Sequence, residues 1–444
     1  MLDDAISLLK EMIRNKCVNP PGGEMRSIHS VRKYLDSHNV ESEVFVSGID
    51  RGNLLAEIPG SGDGPSLMFG PSHVDVVPVI DESRWSVPPF EGIIKDGCVW
   101  GRGALDMLYI VAAQTVAFVR LHEEEFKPKG TLKLLVVADE EAAGTYGAKW
   151  LVEKYPEKMK VDYLVTEQGG EPLGEGRLAF WYGEKGTAWT RITFKGDEQH
   201  GSAPFKSNNA VVKLAEAVRR IDSYQPPRDT QFIESMLNNL KVSGVTKFLA
   251  GNKYTLPRVL QAYDKRNRGM ARFLHALTQL TMSPNIARGG TKINVVPGEA
   301  TLDVDIRLLP GQDEEYARKH LRKALGPLAE EVTIDRIPQE EGGYMYPGTS
   351  SDIKSPLVDV MTNLAKRFRG PDTILVPMMS TGGTDARVFR LAFGTQAYGF
   401  ALSDGSLDLA TLQGLFHGDD ERVSIGSVEM SLNAYVEIAN QFLG

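Results

Sequence analysis

The chain has 444 residues, a formal net charge of −8, 42% hydrophobic residues and 24% charged ones. That length exceeds one compact core and predicts two or three domains, and the acidic balance argues against a nucleic-acid binder. Two cysteines, Cys17 and Cys98, exclude a disulfide scaffold and fit a reducing cytoplasm.

In chain order, Leu2, Ile6, Leu9 and Ile13 recur at helical spacing and predict a helix over residues 2–16. Acids among these apolar residues, and no basic segment before them, argue against a signal peptide; no uninterrupted apolar run suggests a membrane span. A second helix is expected at 25–37, short strands at 44–46, 54–58 and 67–69, and a helix from about 105 to 124. Residues 132–138 form a nearly continuous apolar run, the pattern of a strand buried on both faces. A short helix at 146–154 and a strand at 162–166 follow, so strands alternate with helices as in an α/β layer. After about residue 183 the character changes. A strand is expected at 187–195, a helix at 207–222, and an irregular stretch from 224 to 290 with a polar helical segment near 265–281. Residues 300–308 alternate strictly, apolar then polar, as in an antiparallel strand with one wet face. A helix at 313–325 and a strand near 331–336 complete this part, and the α/β pattern resumes from 354 and ends in a helix at 425–442.

Five segments place His, Asp or Glu where strands end: Ser72-His73-Val74-Asp75, Gly101-Arg102-Gly103-Ala104-Leu105-Asp106-Met107, Ala138-Asp139-Glu140-Glu141, Thr166-Glu167 and Phe416-His417-Gly418. Each alone reads as readily as a helix-start acid or a solvated loop residue. Together, His73, Asp106, Glu141, Glu167 and His417 are too many ligands for one tetrahedral ion. Three carboxylates need two divalent ions to leave a positive centre that can acidify a water. Adjacent glutamates point apart, so one of Glu140 and Glu141 can bind a metal while the other faces substrate.

The motifs SHVDVVP, GRGALDM, ADEEAAG and HGDDERV stand in this order and reach both ends of the chain. In them the chain resembles the dinuclear zinc amidohydrolase and peptidase family of acetylornithine deacetylase, succinyl-diaminopimelate desuccinylase, aminoacylase-1 and glutamate carboxypeptidase. The resemblance implies two divalent ions, zinc with cobalt or manganese as alternatives. It implies Asp106 as their bridge, His73 and Glu167 completing one site, and Glu141 and His417 the other. It also implies Glu140 as general base, Asp75 as the orienter of His73, and a cis peptide after Asp106. Gly196-Asp197-Glu198-Gln199-His200-Gly201 looks like the family's lid motif, whose His200 reaches a neighbouring active site. Asn294 and Arg307 look like lid residues that hold substrate, and Ser380-Thr381-Gly382-Gly383-Thr384-Asp385-Ala386-Arg387 resembles a glycine-rich loop that takes a substrate carboxylate. The chain departs from many relatives at Leu108-Tyr109 and at Asp420, neither of which is a ligand position.

The expectation is an α/β catalytic domain, a helix-covered mixed sheet formed by 1–183 and 346–444, with an inserted, smaller α+β lid and dimerisation domain over 184–345. The expected activity is hydrolysis of an amide bond in a small carboxylate-bearing substrate such as an N-acyl amino acid, in a cytoplasmic homodimer without nucleic-acid or membrane partners. The alternatives are a dipeptidase or carboxypeptidase on short peptides and, more remotely, a non-catalytic binding protein; few basic residues fall at the placed motifs, which disfavours a phosphoesterase.

Overall fold

Three parallel strands, Leu132–Val137, Leu67–His73 and Tyr163–Thr166, lie side by side in a computed structural model that describes residues 1–174 and 176–444. Nearly every residue in them is buried, as their apolar composition requires of strands covered on both faces. Because they run parallel, the loops that leave them emerge at one edge. The sheet continues antiparallel through Arg51–Ile58 to Ser42–Gly48 on one side. On the other side Gln396–Gly399 adds a parallel strand and Arg177–Glu184 follows it. The sheet is mixed and the fold is α/β.

The chain divides into two compact units, one of Met1–Tyr182, Ser350–Met378 and Thr384–Gly444, the other of Gly183–Thr349 and Met379–Gly383. In the first, helix Tyr109–Glu123 is buried on nearly all sides and packs against helices Leu2–Asn15 and Ile425–Leu443. The stretch Ala104–Glu123 is apolar enough to cross a membrane by composition, but 89% of its apolar window is buried inside the protein, which accounts for that composition. Truncating a side chain such as the fully buried Phe118 would cost about 3–5 kcal/mol.

In the second unit, Glu299–Leu308 pairs with Thr190–Lys195 on one flank and with Thr281–Gly289 on the other. Its alternation sends Leu302, Val304 and Ile306 into a core with Ile192 and Phe194, capped by helices Ala210–Ser223 and Glu314–Leu325. The opposite face carries charge instead: Asp303, itself buried, accepts from both Arg191 and Arg288.

Two sequence expectations change. Residues 224–290 hold more than the one helical segment expected near 265–281: they fold into helices Gln231–Asn239, Gly244–Ala250, Leu256–Asp264 and Arg268–Ala276, followed by strand Thr281–Gly289. The helix expected from 105 becomes regular only at Tyr109; before it Asp106 and Met107 adopt non-helical angles, and the Asp106–Met107 peptide is cis.

Candidate metal centre

The ends of the three parallel strands supply the centre. His73 closes one strand, Glu140 and Glu141 lie in a short turn just past the second, and Glu167 follows the third. Binding sites at the carboxyl ends of parallel strands are the usual arrangement of α/β sheets. Asp106 enters from the irregular turn before the core helix, and His417 from a residue with φ of 57° near the C-terminus.

These side chains converge into two groups of possible ligands, His73–Asp106–Glu167 and Asp106–Glu141–His417, with the atoms of each group within 4.8 Å of one another. Asp106 belongs to both and offers each a different oxygen. Its Oδ1 lies 3.4 Å from His73 Nε2, and its Oδ2 lies 3.3 Å from His417 Nε2. Glu167 stands 4.0 Å from His73 Nε2, and Glu141 stands 3.2 Å from His417 Nε2.

His73 tests whether metal ions fit. Its Nδ1 hydrogen-bonds the Asp75 carbonyl at 3.0 Å, which fixes the ring, while the buried Nε2 makes no hydrogen bond although two carboxylates face it. An imidazole nitrogen left bare among carboxylates is a ligand atom aimed at a cation. Four carboxylates, of Asp106, Glu140, Glu141 and Glu167, crowd two imidazoles, a surplus of negative charge that divalent ions would neutralise.

The protein groups alone set strongly displaced proton affinities. Desolvation raises Glu140 and Glu167 well above the carboxylate range, with mutual repulsion adding to it. Burial works against the His73 imidazolium, yet Asp106 and its neighbouring carboxylates outweigh it and hold the proton well above the usual value. Hydrogen bonds to Asp106 and then Glu141 push His417 up to about 10.

Two buried carboxylates hold the ligand turns. Asp75 was expected to orient His73; its carboxylate lies 3.6 Å from Nδ1 and also accepts from the backbone N–H of Glu140 and of Glu141 at 3.1 Å each. Glu421 does the same for Asp106. It accepts from the backbone N–H of Gly103, Leu105 and Asp106 and from Arg102, whose other nitrogen reaches the His417 carbonyl. Sequence reasoning missed Glu421, although the HGDDE motif contains it. It also missed Asp385, a buried carboxyl raised to about 7 by desolvation, with Arg387 opposing, and packed so closely to Gly144 that a side chain there would collide with it. At the positions that depart from many relatives, Leu108 and Tyr109 are buried, and Asp420 accepts from the backbone and hydroxyl of Ser86.

The remaining expected residues stand as follows. Arg387 is buried at the start of helix Ala386–Phe393 and donates to the Thr384 carbonyl. In the second unit, Gly382 and Gly383 form a turn in which the Gly382 N–H meets Ser380 Oγ at 3.1 Å. Arg307 binds Asp305 and Thr187 and stacks on Trp189. Exposed His200 pairs in register with Val295, and the neighbouring Asn294 carbonyl accepts from Gly201.

Helices over a mixed sheet, with carboxylates and imidazoles gathered at its strand ends, are the arrangement of a metal-dependent hydrolase with an α/β fold. The chain belongs to Peptidase family M20/M25/M40, whose model matches residues 71–441. It is 27% identical over 391 residues to a probable succinyl-diaminopimelate desuccinylase of Staphylococcus aureus, covering 87% of each chain. Its fold resembles an M20 family metallo-carboxypeptidase, Sso-CP2, of Sulfolobus solfataricus, with a TM-score of 0.74 at 19% identity over 99% of each chain. It also resembles a dinuclear metal-binding peptidase of the M20 family from Bacillus subtilis, with a TM-score of 0.63 at 13% identity over 99% of this chain and 97% of that one.

Proposed function

We propose that the protein hydrolyses the amide bond of a small substrate bearing a carboxylate, an N-acyl amino acid of the kind a desuccinylase takes. Two divalent ions would be held by His73, Asp106 and Glu167 and by Asp106, Glu141 and His417, with zinc the ion that suits the imidazole and carboxylate ligands. Bound there, the ions supply Lewis acidity and a water acidic enough to attack near neutral pH. The observation that carries this reading is the division of Asp106, one oxygen to each group.

The chain's own part is proton transfer and binding. Glu140, whose raised proton affinity suits a group that takes and returns a proton, accepts one from the attacking water and delivers it to the departing amine nitrogen. Arg387 and the backbone of Gly382 and Gly383 are the proposed hold on the substrate carboxylate, with Arg307 and Asn294 as further substrate contacts. His200 would stabilise the developing oxyanion, from a second copy of the chain in a homodimer. A dimer is supported by strand Thr281–Gly289, paired on one side only among the described residues, and by Ile286 and Ile293, exposed on and after it. Two free cysteines suit a cytoplasmic setting.

The family's peptidase description favours a second reading, a dipeptidase or carboxypeptidase acting on the same centre. A panel of N-succinyl and N-acetyl amino acids beside dipeptides, each with zinc, cobalt and manganese, separates the two. Turnover of the acyl amino acids supports the first reading; turnover of dipeptides alone replaces it with the second.

A further inference from the structure

The Glu140–Glu141 turn is too short to orient itself. It is a three-residue 3₁₀ segment, Glu140–Ala142, between Asp139 at φ 70° and Ala143 at φ 74°, so its direction depends on what grips it from outside. Asp75 grips it in front, through the backbone N–H groups already described. At its start, the Asp139 carboxylate accepts from Tyr146 N–H at 3.0 Å. One side-chain amide joins these two carboxylates. Asn19 Nδ2 donates to Asp75 Oδ2 and to Asp139 Oδ1, at 2.9 Å each.

The amide is itself held. Arg51 donates to Asn19 Oδ1 at 3.2 Å, which turns the NH₂ toward the carboxylates. The same guanidinium donates to Asp139 at 3.1 Å, to Glu24 at 2.5 Å and to the Pro21 carbonyl at 2.8 Å. Asn19, Glu24, Asp75 and Asp139 are each at most 3% exposed, and Arg51 is 9% exposed. Charged groups this enclosed are costly unless fully bonded, and a bonded network of this kind has one stable arrangement.

We infer that Asn19 and Arg51 are positioning residues for the Glu140–Glu141 pair, acting through Asp75 and Asp139. Asn19 sets the distance between the two carboxylates that clamp the turn. The turn in turn holds the proposed proton-transfer group and a proposed metal ligand at fixed spacing. The roles of Glu140 and Glu141 rest on the proposed function; the clamp does not. Neither residue lies in the motifs that carry the chemistry, and Asn19 lies more than fifty residues before the first of them.

The test compares Asn19→Ala, Asn19→Asp and Arg51→Lys with the wild type in the full chain. Zinc affinity is measured by competition with a chromophoric chelator, and kcat and KM on the best substrate of the panel. Groups behind metal ligands change affinity or activity by about 10–100-fold when removed. Asn19→Ala, folded by circular dichroism, is expected to bind zinc about tenfold or more weakly and to lose kcat by a similar factor, with KM within about threefold of wild type. Asn19→Asp is expected to be worse than Asn19→Ala, because a third carboxylate then faces Asp75 and Asp139. Wild-type zinc affinity and kcat in folded Asn19→Ala overturn the inference. If Asn19→Ala does not fold, Arg51→Lys is read the same way, and failure of both to fold also overturns it, since the group is then a structural tie. Zinc affinity needs no substrate, so a wild type without metal-dependent turnover refutes the hydrolase reading and leaves this measurement standing.

Discussion

Replacing Glu421 probes how much of the centre depends on a residue that touches no substrate. Its carboxylate, 1% exposed, accepts from Arg102 at 2.7 Å and from the N–H groups of Gly103, Leu105 and Asp106 at 2.9–3.0 Å. Glu421→Ala strands a guanidinium that is 3% exposed, and breaking such a buried pair costs about 3–5 kcal/mol. It also strands three N–H groups at about 1–3 kcal/mol each, a cost that water entering the gap offsets almost entirely. A net loss of about 4 kcal/mol is expected. Glu421→Gln keeps one accepting oxygen but turns an NH₂ against donors, so it should lose about 2 kcal/mol. Urea unfolding of the metal-free proteins reads both numbers from the midpoint at constant slope. Because Asp106 loses the acceptor of its own N–H in Glu421→Ala, zinc binding should also weaken by about 10–100-fold in that variant. Glu421→Ala within about 1 kcal/mol of wild type would refute the reasoning, since Arg102 would then not depend on its partner.

Glu140→Gln should keep its metal ions and lose turnover by about a hundredfold or more, whereas Glu141→Gln should weaken one ion; metal content and kcat together tell them apart, and the reverse pattern would exchange the two roles. Metal binding should release at least one proton per chain at pH 7. His417, held up to about 10 by Asp106 and Glu141, is charged there and must lose its proton to become a ligand, so affinity should rise with pH until about that value. Calorimetry in buffers of different ionisation enthalpy measures the release, and none at all would contradict the site. Arg387→Ala and Arg307→Ala should each lower kcat/KM by the equivalent of about 2 kcal/mol, and esterifying the substrate carboxylate should cost them much less than it costs the wild type.

How far the sequence could be read depended on whether the signal was local. The strand at 132–138 and the alternation at 300–308 announced themselves because their composition matches their burial at every position but Lys133 and Asp303, which are buried polar residues. His73, Asp106, Glu141, Glu167 and His417 could be found because each sits in a short motif at an element's end, and the structure gathers all five. Helix Arg268–Ala276 falls in the segment read as helical near 265–281, whereas the three helices before it went unread because each spans only seven to nine residues, too few for a periodic pattern to stand out. Strand Thr281–Gly289 was hidden by Pro284, which the structure tolerates at an irregularity in the pairing beside it. The hold of the Asp75 carboxylate on the backbone N–H groups of Glu140 and Glu141 spans 65 and 66 positions and went unread. The partnership of Glu421 with Asp106 spans more than three hundred positions, and that of Arg51 with Asp139 nearly ninety, with no motif to join them.

The central claim is that two ions meet at Asp106, and native mass spectrometry of zinc-loaded protein tests it most directly. The account predicts two ions per chain in the wild type, one in His417→Ala, and a loss of affinity at both sites in Asp106→Ala, because each of its oxygens faces a different group. A single ion in the wild type, or an Asp106→Ala protein that still binds two, would contradict it.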